Sequence, residues 1–428
     1  MPIPENPPPG PFRREFFASP LRGPWLTSII GSSLLPLIVI CAVTGFLSHA
    51  AYDPRPAGFS LYFFNWPSGP TYLYSVTQGL HVITGLAAIP ILLAKLWSVI
   101  PKLFEWPPVL SVAHGLERLA LAMLVGGALF VFFTGVLNIQ VYYAWSFSFI
   151  PAHYYGSFVF LAGLALHLGV KAPVIFRAYR EHGLAPLHQR LDSTLAESPE
   201  SDRMAAEAKT GEETTTAPVA PGPPTVSRRG LLGLVGATSL GLAVMAAAQV
   251  IGGPLRPLGL LVPRGRSVGS GPNDFQINKT AAAAGVGPAD VGGDWRLVLE
   301  GPRRVELSRD ELMAMPQATH RLPIACVEGW TTVQSWTGVP IRDLARMAGI
   351  EGPAQVLVES FQKTGGFTST TLSPNKVANP RALLALRVNG ADLSLDHGFP
   401  ARIIVPALPG VRNIKWVGNM AFSAPTEA

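Results

Sequence analysis

Apolar residues fall into four long runs before residue 180: Leu26–Leu47, Tyr72–Val99, Leu119–Val141 and Tyr154–Ile175. Each is long enough to cross about 30 Å of hydrocarbon as a helix. A weaker Gly/Ala-rich run follows at Gly230–Ile251. From about Pro263 the pattern changes to short alternating stretches, such as Trp295–Leu299 and Gln355–Val358, which predict strands. Gly301-Pro302, Asn389-Gly390 and Pro409-Gly410 predict turns, and Arg309–Ala314 and Ile341–Ala348 short helices. The pattern predicts a multidomain chain. Residues 1–180 form an all-α transmembrane domain of four helices, and 227–252 a fifth span or signal anchor. Residues 260–428 form an α+β domain. Residues 181–226, rich in Ala, Glu, Thr, Ser and Pro, cannot bury a core and read as a disordered cytoplasmic linker.

Composition sharpens this division. Of 428 residues, 48% are hydrophobic and only 14% charged, against about 25% charged in an average soluble protein. That excludes a disordered chain and argues against a wholly soluble one. The net charge of +6 is what cytoplasmic membrane loops produce, and no nucleic-acid partner is expected from it. Arg13, Arg14 and Arg22 precede the first run, Lys95, Lys102 and Arg118 lie between the second and third, and Lys171, Arg177, Arg180 and Arg190 follow the fourth. The alternate loops hold only Arg55. The positive-inside rule therefore predicts a multi-pass protein of the inner or plasma membrane. Its N-terminus is cytoplasmic, its C-terminal domain extracytoplasmic, and membrane lipid is its first partner. Trp25, Trp66, Trp97, Trp106 and Trp145 sit near predicted span ends, as an aromatic belt requires. Two cysteines exclude a disulfide framework and a zinc ribbon.

Histidines within apolar spans are costly and read as functional. His153 and His167 are fourteen residues apart on the fourth run, which separates them by roughly 21 Å and about 40° on one helix. Such a pair can give one axial ligand to each of two haems, and with no C-x-x-C-H motif these would be b-type. His81 is the expected partner of His153, with His49 as an alternative, and His114 the partner of His167. The competing reading of His49 and His114 is as hydrated interfacial histidines. With this spacing, Phe12–Tyr179 resembles the prokaryotic dihaem cytochrome b family, the membrane subunits of formate dehydrogenases and hydrogenases. That family takes a further ligand from the start of its first helix, where this chain has Trp25-Leu26-Thr27.

Ser227-Arg228-Arg229 before the fifth run resembles a twin-arginine export signal, here internal, with Ala246-Ala247-Ala248 a candidate cleavage site. The same pair also satisfies the positive-inside rule by itself.

In the C-terminal region Cys326 stands alone. A reactive or metal-bound thiolate competes there with a buried inert cysteine. Arg402, Arg412 and Lys415, in Gly/Pro-rich loops interleaved with apolar strands, suit a phosphate. Five segments occur in the order of the sulfite oxidase family of molybdopterin oxidoreductases: Asn273-Asp274-Phe275, Cys326-Val327-Glu328-Gly329-Trp330, Asn389-Gly390, His397-Gly398-Phe399-Pro400-Ala401-Arg402 and Lys415-Trp416. The resemblance covers about Asn273–Phe422. It implies that the Cys326 thiolate binds molybdenum beside a pterin dithiolene and is the catalytic centre. It also implies that His397, Arg402, Arg412, Asn413, Ile414 and Lys415 bind the pterin and its phosphate, with Asn273 and Phe275 close by. True sulfite oxidases follow the ligand cysteine with an Ala-Gly-Asn-Arg-type segment. Val327-Glu328-Gly329-Trp330 is closer to the periplasmic methionine sulfoxide reductase catalytic subunit.

The expected protein is thus a molybdopterin-dependent oxidoreductase carrying molybdenum-molybdopterin and two haems b. It exchanges electrons with quinone or quinol and performs oxygen-atom transfer on a small molecule, with a sulfoxide as the analogy. A sulfite-type dehydrogenase running in the opposite direction is the alternative. The rival from another class is a non-enzymatic membrane b-type cytochrome with a partner-binding C-terminal domain. A further redox partner is left open.

Overall fold

A computed structural model of the chain describes residues 6–17, 19, 21–52, 64–182, 225–261 and 269–425. Apart from its ends, the expected linker at 181–226 lies outside the described residues.

Five helices form from the five apolar runs: α1 (Pro24–Tyr52), α2 (Leu73–Leu103), α3 (Val112–Ile139), α4 (Phe149–His182) and α5 (Arg228–Ile251). All five are long and apolar enough to cross a membrane. Each extends past the run that predicts it at one end or both. In α3 the cause is visible: Ser111 Oγ accepts the His114 N–H at 3.2 Å and so starts the helix before its apolar part. Arg228 and Arg229 open α5, and Ala246-Ala247-Ala248 lies within it, with Ala246 and Ala248 buried.

The chain folds as two compact units that cut across α1, α2 and α5. The first draws on Met1–Ala42 and Thr84–Ala243. In it Ile38 of α1, Ala88 and Leu92 of α2, Ala128 and Val131 of α3, and Phe160 of α4 make one buried cluster. Leu26, Ile30 and Ala94 pack with Leu231, Leu232 and Val235 of α5. Helices α3 and α4 meet backbone to backbone. A Cβ on Gly163 would lie 2.6 Å from the Leu124 nitrogen, and one on Gly127 would lie 2.9 Å from Phe160 Cα. Small residues at the contact are how helices associate where lipid gives them no hydrophobic drive.

The second unit draws on Val43–Ile83 and Val244–Ala428. Its strands are β1 (Leu297–Glu300), β2 (Val305–Leu307), β3 (Ala318–Ala325), β4 (Thr331–Pro340), β5 (Gln355–Ser360), β6 (Ser369–Leu372), β7 (Leu383–Val388), β8 (Ala391–Asp392), β9 (Arg402–Ile404) and β10 (Val417–Ser423). One sheet has the order β2-β1-β10-β5-β6 and the other β3-β4-β7-β8, with β9 also paired to β7. Asn389 and Gly390 both have positive φ, 51° and 83°, the geometry of a tight hairpin turn between β7 and β8. The helix Arg309–Ala314 begins at a reciprocal cap, in which the Ser308 N–H donates to Glu311 and the Glu311 N–H donates to Ser308 Oγ. Pro409-Gly410, expected as a turn, leads into a single 3-10 turn at Gly410–Arg412.

The core of this unit includes residues at and between the facing ends of the first two apolar runs. Ala50, Ala51, Trp66 and Tyr74 are buried in one cluster with Ala325, Leu384, Ile403, Leu408 and Ile414. Trp66, read from the sequence as part of an aromatic belt, is only 4% exposed. Its Nε1 donates to the Ala407 carbonyl at 2.6 Å, and its own carbonyl accepts from Lys376 Nζ at 3.1 Å and Asn375 Nδ2 at 3.2 Å. An indole with a polar handle serves a protein interior as well as a membrane interface, so position alone could not separate the two.

Candidate active site

Cys326 follows the last residue of β3 and opens the turn to β4. Its N–H donates to the Trp330 carbonyl at 2.9 Å, and the Gly329 N–H donates back to the Cys326 carbonyl at 3.1 Å. Gly329 holds φ at 92°, where a side chain would be strained, and a Cβ there would also strike Val82 at 2.9 Å. The Trp330 indole donates to Glu328 at 2.9 Å within the same turn. Cys326 itself is 2% exposed.

A second segment reaches the same place from the far end of the chain. Ala325 makes a parallel bridge to Pro409, which sets the loop from Pro409 to Lys415 beside the cysteine. Asn413 shapes this loop: its Oδ1 accepts the Val405 N–H at 2.7 Å and its Nδ2 donates to the Pro409 carbonyl at 3.3 Å. Ile414 is buried, and its carbonyl accepts the Ile403 N–H at 2.9 Å. Arg412 is also buried, with its donors committed to Thr370 Oγ1, the Ala51 carbonyl and the Thr371 carbonyl.

Three basic side chains converge on this loop. Arg402, the first residue of β9, is 2% exposed. It donates through Nη1 to the His397 carbonyl at 3.0 Å and through Nη2 to the Asn413 carbonyl at 3.1 Å. Its Nε is buried with no hydrogen-bond partner among the described residues. Its guanidinium lies 5.2 Å from the centre of the Trp336 ring. Burial pushes Arg402 down to about 9. Lys415 donates to the carbonyls of Lys279 and Asp396 at 2.7 and 2.8 Å. Burial, then the Arg402 charge, lowers it well below the usual lysine range, against a weaker pull from Asp396 and Cys326. Burial and the charges of Arg402 and Lys415 push His397 down to about 3.

His397 is therefore neutral. Its Nε2 faces the Asn273 carbonyl at 2.8 Å, which assigns the proton to Nε2 and leaves Nδ1 as an acceptor. Its ring stacks on Phe275 with centroids 3.7 Å apart and an interplanar angle of 17°. Asn273 is fixed by its Nδ2 donating to the Asp392 carbonyl at 2.9 Å and its Oδ1 accepting the Ser394 N–H at 2.8 Å. Every residue expected near the pterin thus lies in this second unit, and the turns and bridges above order the segments that carry them.

Residues 285–427 match the oxidoreductase molybdopterin binding domain family. The C-terminal region is a molybdopterin-binding oxidoreductase domain. NADH nitrate reductase of Volvox carteri is 28% identical over 171 residues, covering 32% of this chain and 20% of the relative. A candidate protein-methionine-sulfoxide reductase subunit, YedZ1, of Azospira oryzae is 30% identical over 108 residues, or 25% of this chain and 40% of the relative. Mitochondrial sulfite oxidase of Rattus norvegicus is 29% identical over 150 residues, or 29% of this chain and 28% of the relative. The chain thus spans less than half the length of each of these relatives.

The residues present fit a molybdopterin. Arg402, Lys415 and His397 crowd together, with burial weakening the hold of each on its proton, and the Arg402 Nε–H lacks an acceptor among the described residues. Unpaired buried donors and desolvated cations are expensive, and an anion such as a pterin phosphate satisfies both. A soft thiolate is in turn a suitable ligand for a heavy metal.

Sequence reasoning missed the residues of the α1–α2 connection that order this domain. Besides Trp66, the Thr71 carbonyl accepts the Ala407 N–H at 3.2 Å, Asn379 Nδ2 donates to the Ser68 carbonyl at 2.9 Å, and Gln78 Nε2 donates to the Val327 carbonyl at 2.8 Å. Ala407 is held at φ 62°, a left-handed conformation that costs a non-glycine residue roughly 1–2 kcal/mol. Trp66 and Thr71 take up both of its backbone groups. These contacts join residues hundreds of positions apart, and no local pattern signals them.

The histidines expected as haem ligands are placed as follows. His153 Nδ1 lies 3.2 Å from Thr134 Oγ1. A Cβ on Gly135 would lie 3.3 Å from the His153 ring, and one on Gly45 would lie 2.6 Å from His81 Nδ1. His114 Nδ1 accepts the Leu110 N–H at 3.1 Å. His167 is half-buried on α4. The His49 ring lies 6.4 Å from that of Tyr52.

Proposed function

We propose that the chain is a membrane-anchored molybdenum oxidoreductase that passes electrons between b haems and an extracytoplasmic site of oxygen-atom transfer. The observation that carries this reading is the buried Cys326 thiol beside three desolvated basic side chains, one of which keeps an unpartnered N–H. Cys326 would hold the molybdenum. Arg402 and Lys415 would hold the cofactor phosphate, the latter through a redirected ammonium. His397 would offer Nδ1 to a pterin donor, and Asn273, Phe275, Asn413 and Ile414 would shape the walls. Arg412 acts from behind by fixing the Gly410–Arg412 turn. When bound, the group supplies a metal that exchanges an oxygen atom for two electrons.

A sulfoxide is the substrate class we favour. The Cys326–Trp330 segment resembles the methionine sulfoxide reductase type, and the Azospira relative carries that name. In the balanced reaction a sulfoxide takes up two electrons and two protons, its sulfur–oxygen bond breaks, and a thioether and water are formed. Quinol is the proposed electron source, through two haems b, with His81 and His153 as ligands of the outer one and His114 and His167 of the inner one. His49 is the alternative to His81.

The haem assignment draws support from Thr134. Its hydroxyl has one proton, which it donates to the Phe130 carbonyl at 2.8 Å. It therefore accepts from His153 Nδ1–H, leaving Nε2 unprotonated and available to a metal. Metal-ligating histidines are commonly oriented by such a hydrogen bond on the far ring nitrogen. His114 differs: its Nδ1 accepts the Leu110 N–H, which puts the neutral ring's proton on Nε2, so ligation of the inner haem there would require that hydrogen bond to be given up.

Metal and haem analysis of the purified chain tests the reading. One molybdenum and two haems b per chain are expected, followed by turnover of methionine sulfoxide. Absence of molybdenum would overturn it, and molybdenum without haem would reduce the helices to an anchor.

A further inference from the structure

Helix α2 begins inside the second unit. Thr71, just before it, binds the Ala407 N–H through its carbonyl. Gln78, two turns later, donates to the Val327 carbonyl, next to Cys326. Val82, one turn further, lies against Gly329 of the same turn. Positions 71, 74, 78 and 82 recur at helical spacing on one face, so Tyr74 is bracketed between Ala407 on one side and Val327 on the other. The Ala325–Pro409 bridge joins those two segments at the cysteine. Tyr74 is 2% exposed and packs in the cluster that contains Ala325 and Leu408.

Its hydroxyl is buried with no hydrogen-bond partner among the described residues. The turn that carries Cys326 is met by Gln78 and Val82, one and two turns further along the same helix face. A buried tyrosine normally finds a partner for its hydroxyl, so an orphan on the helix face that meets the cysteine turn marks the place of an absent group.

We propose that Tyr74, a residue of the first turn of a membrane helix, is a substrate-positioning residue of the molybdenum site. With the cofactor bound, its hydroxyl would donate a hydrogen bond to the oxygen atom of the substrate. The inference rests on the proposed molybdenum reading. It adds that the catalytic pocket is incomplete without the α2 hairpin. No bond is made or broken by Tyr74, and its proton stays on the phenol.

Tyr74→Phe in the full-length, cofactor-loaded protein tests this, with a readout that does not depend on turnover. The Mo(V) EPR spectrum of partly reduced wild type is expected to narrow in deuterium oxide, from loss of an exchangeable proton coupling, and that narrowing should be absent in the variant at unchanged molybdenum content. With methionine sulfoxide, kcat/KM should fall about tenfold, the ~1.4 kcal/mol of one hydrogen bond to a charged group. In cofactor-free protein the melting temperature should hold or rise, because the variant deletes an unsatisfied buried hydroxyl. A merely structural tyrosine would lower it. Retention of the proton coupling, or a drop in cofactor-free melting temperature, overturns the role of Tyr74 while leaving the molybdenum reading intact. Loss of that reading would appear instead as wild-type protein without molybdenum.

Discussion

The two compact units build their interiors by different means. The first relies on apolar helices brought together by glycine, as where Gly163 meets the Leu124 backbone and Gly127 meets Phe160. The second closes two sheets over a fully buried core. Helix α2 shows what separates them. Only 17% of the most apolar stretch of α1, α3, α4 and α5 is buried in protein, whereas 39% of that of α2 is. Its apolar character therefore serves two solvents. In the first unit Ala88 and Leu92 join the helix cluster, and in the second Gln78 and Val82 meet the cysteine turn. Hydrophobicity alone fixes which residues leave water, and the partner they leave it for is decided by tertiary contacts.

The comparison can be broken most severely at the thiol. Cys326→Ala should abolish molybdenum binding and turnover while leaving the absorbance of the proposed haems unchanged. Metal analysis beside a pyridine haemochrome spectrum reads both, and a variant with full metal would remove Cys326 from the site.

Acid should also act on the second unit selectively. His397 titrates at about 3 in the folded protein, against an ordinary 6.5 when exposed on unfolding. Between these values the unfolded chain binds the extra proton, so stability is whole above about 6.5 and is lost as pH falls toward 3. Unfolding of cofactor-free protein across that range should show this slope, and His397→Gln should flatten it.

Trp66→Ala tests whether the hairpin is part of the second core. It should cost that unit about 3–5 kcal/mol, the usual penalty for truncating a buried tryptophan, and release Lys376, which burial now holds at about 8. Denaturant titration in detergent would read the loss, and an effect below about 1 kcal/mol would place Trp66 outside the core. The smallest expected effect is Gly163→Ala, at about 1–3 kcal/mol from overpacking α3 against α4. It should lower the thermal stability of the first unit and leave molybdenum content alone.

Much of this was legible in sequence where the cause is local. Apolar length predicts the five helices, Asn389-Gly390 the turn between β7 and β8, and the stretch Arg309–Ala314 the short helix. The order of motifs around Cys326, His397, Arg402 and Lys415 pointed to the molybdopterin domain. What stayed hidden were choices between equivalent local signals. Trp66 beside a span end carries the same signature whether it meets lipid headgroups or the Ala407 carbonyl. Arg412 looks as suited to phosphate as Arg402, and only the structure shows the three acceptors that occupy it. Tyr74 opens an apolar run and has no pattern that marks its hydroxyl.

The Trp66–Ala407 hydrogen bond spans 341 residues. On a ribosome the indole emerges long before the carbonyl that it will bind, and contacts so distant in sequence form late. The peg that holds Ala407 in its left-handed conformation thus lies hundreds of positions upstream, and that conformation gains its two backbone partners only once the distant segments have met.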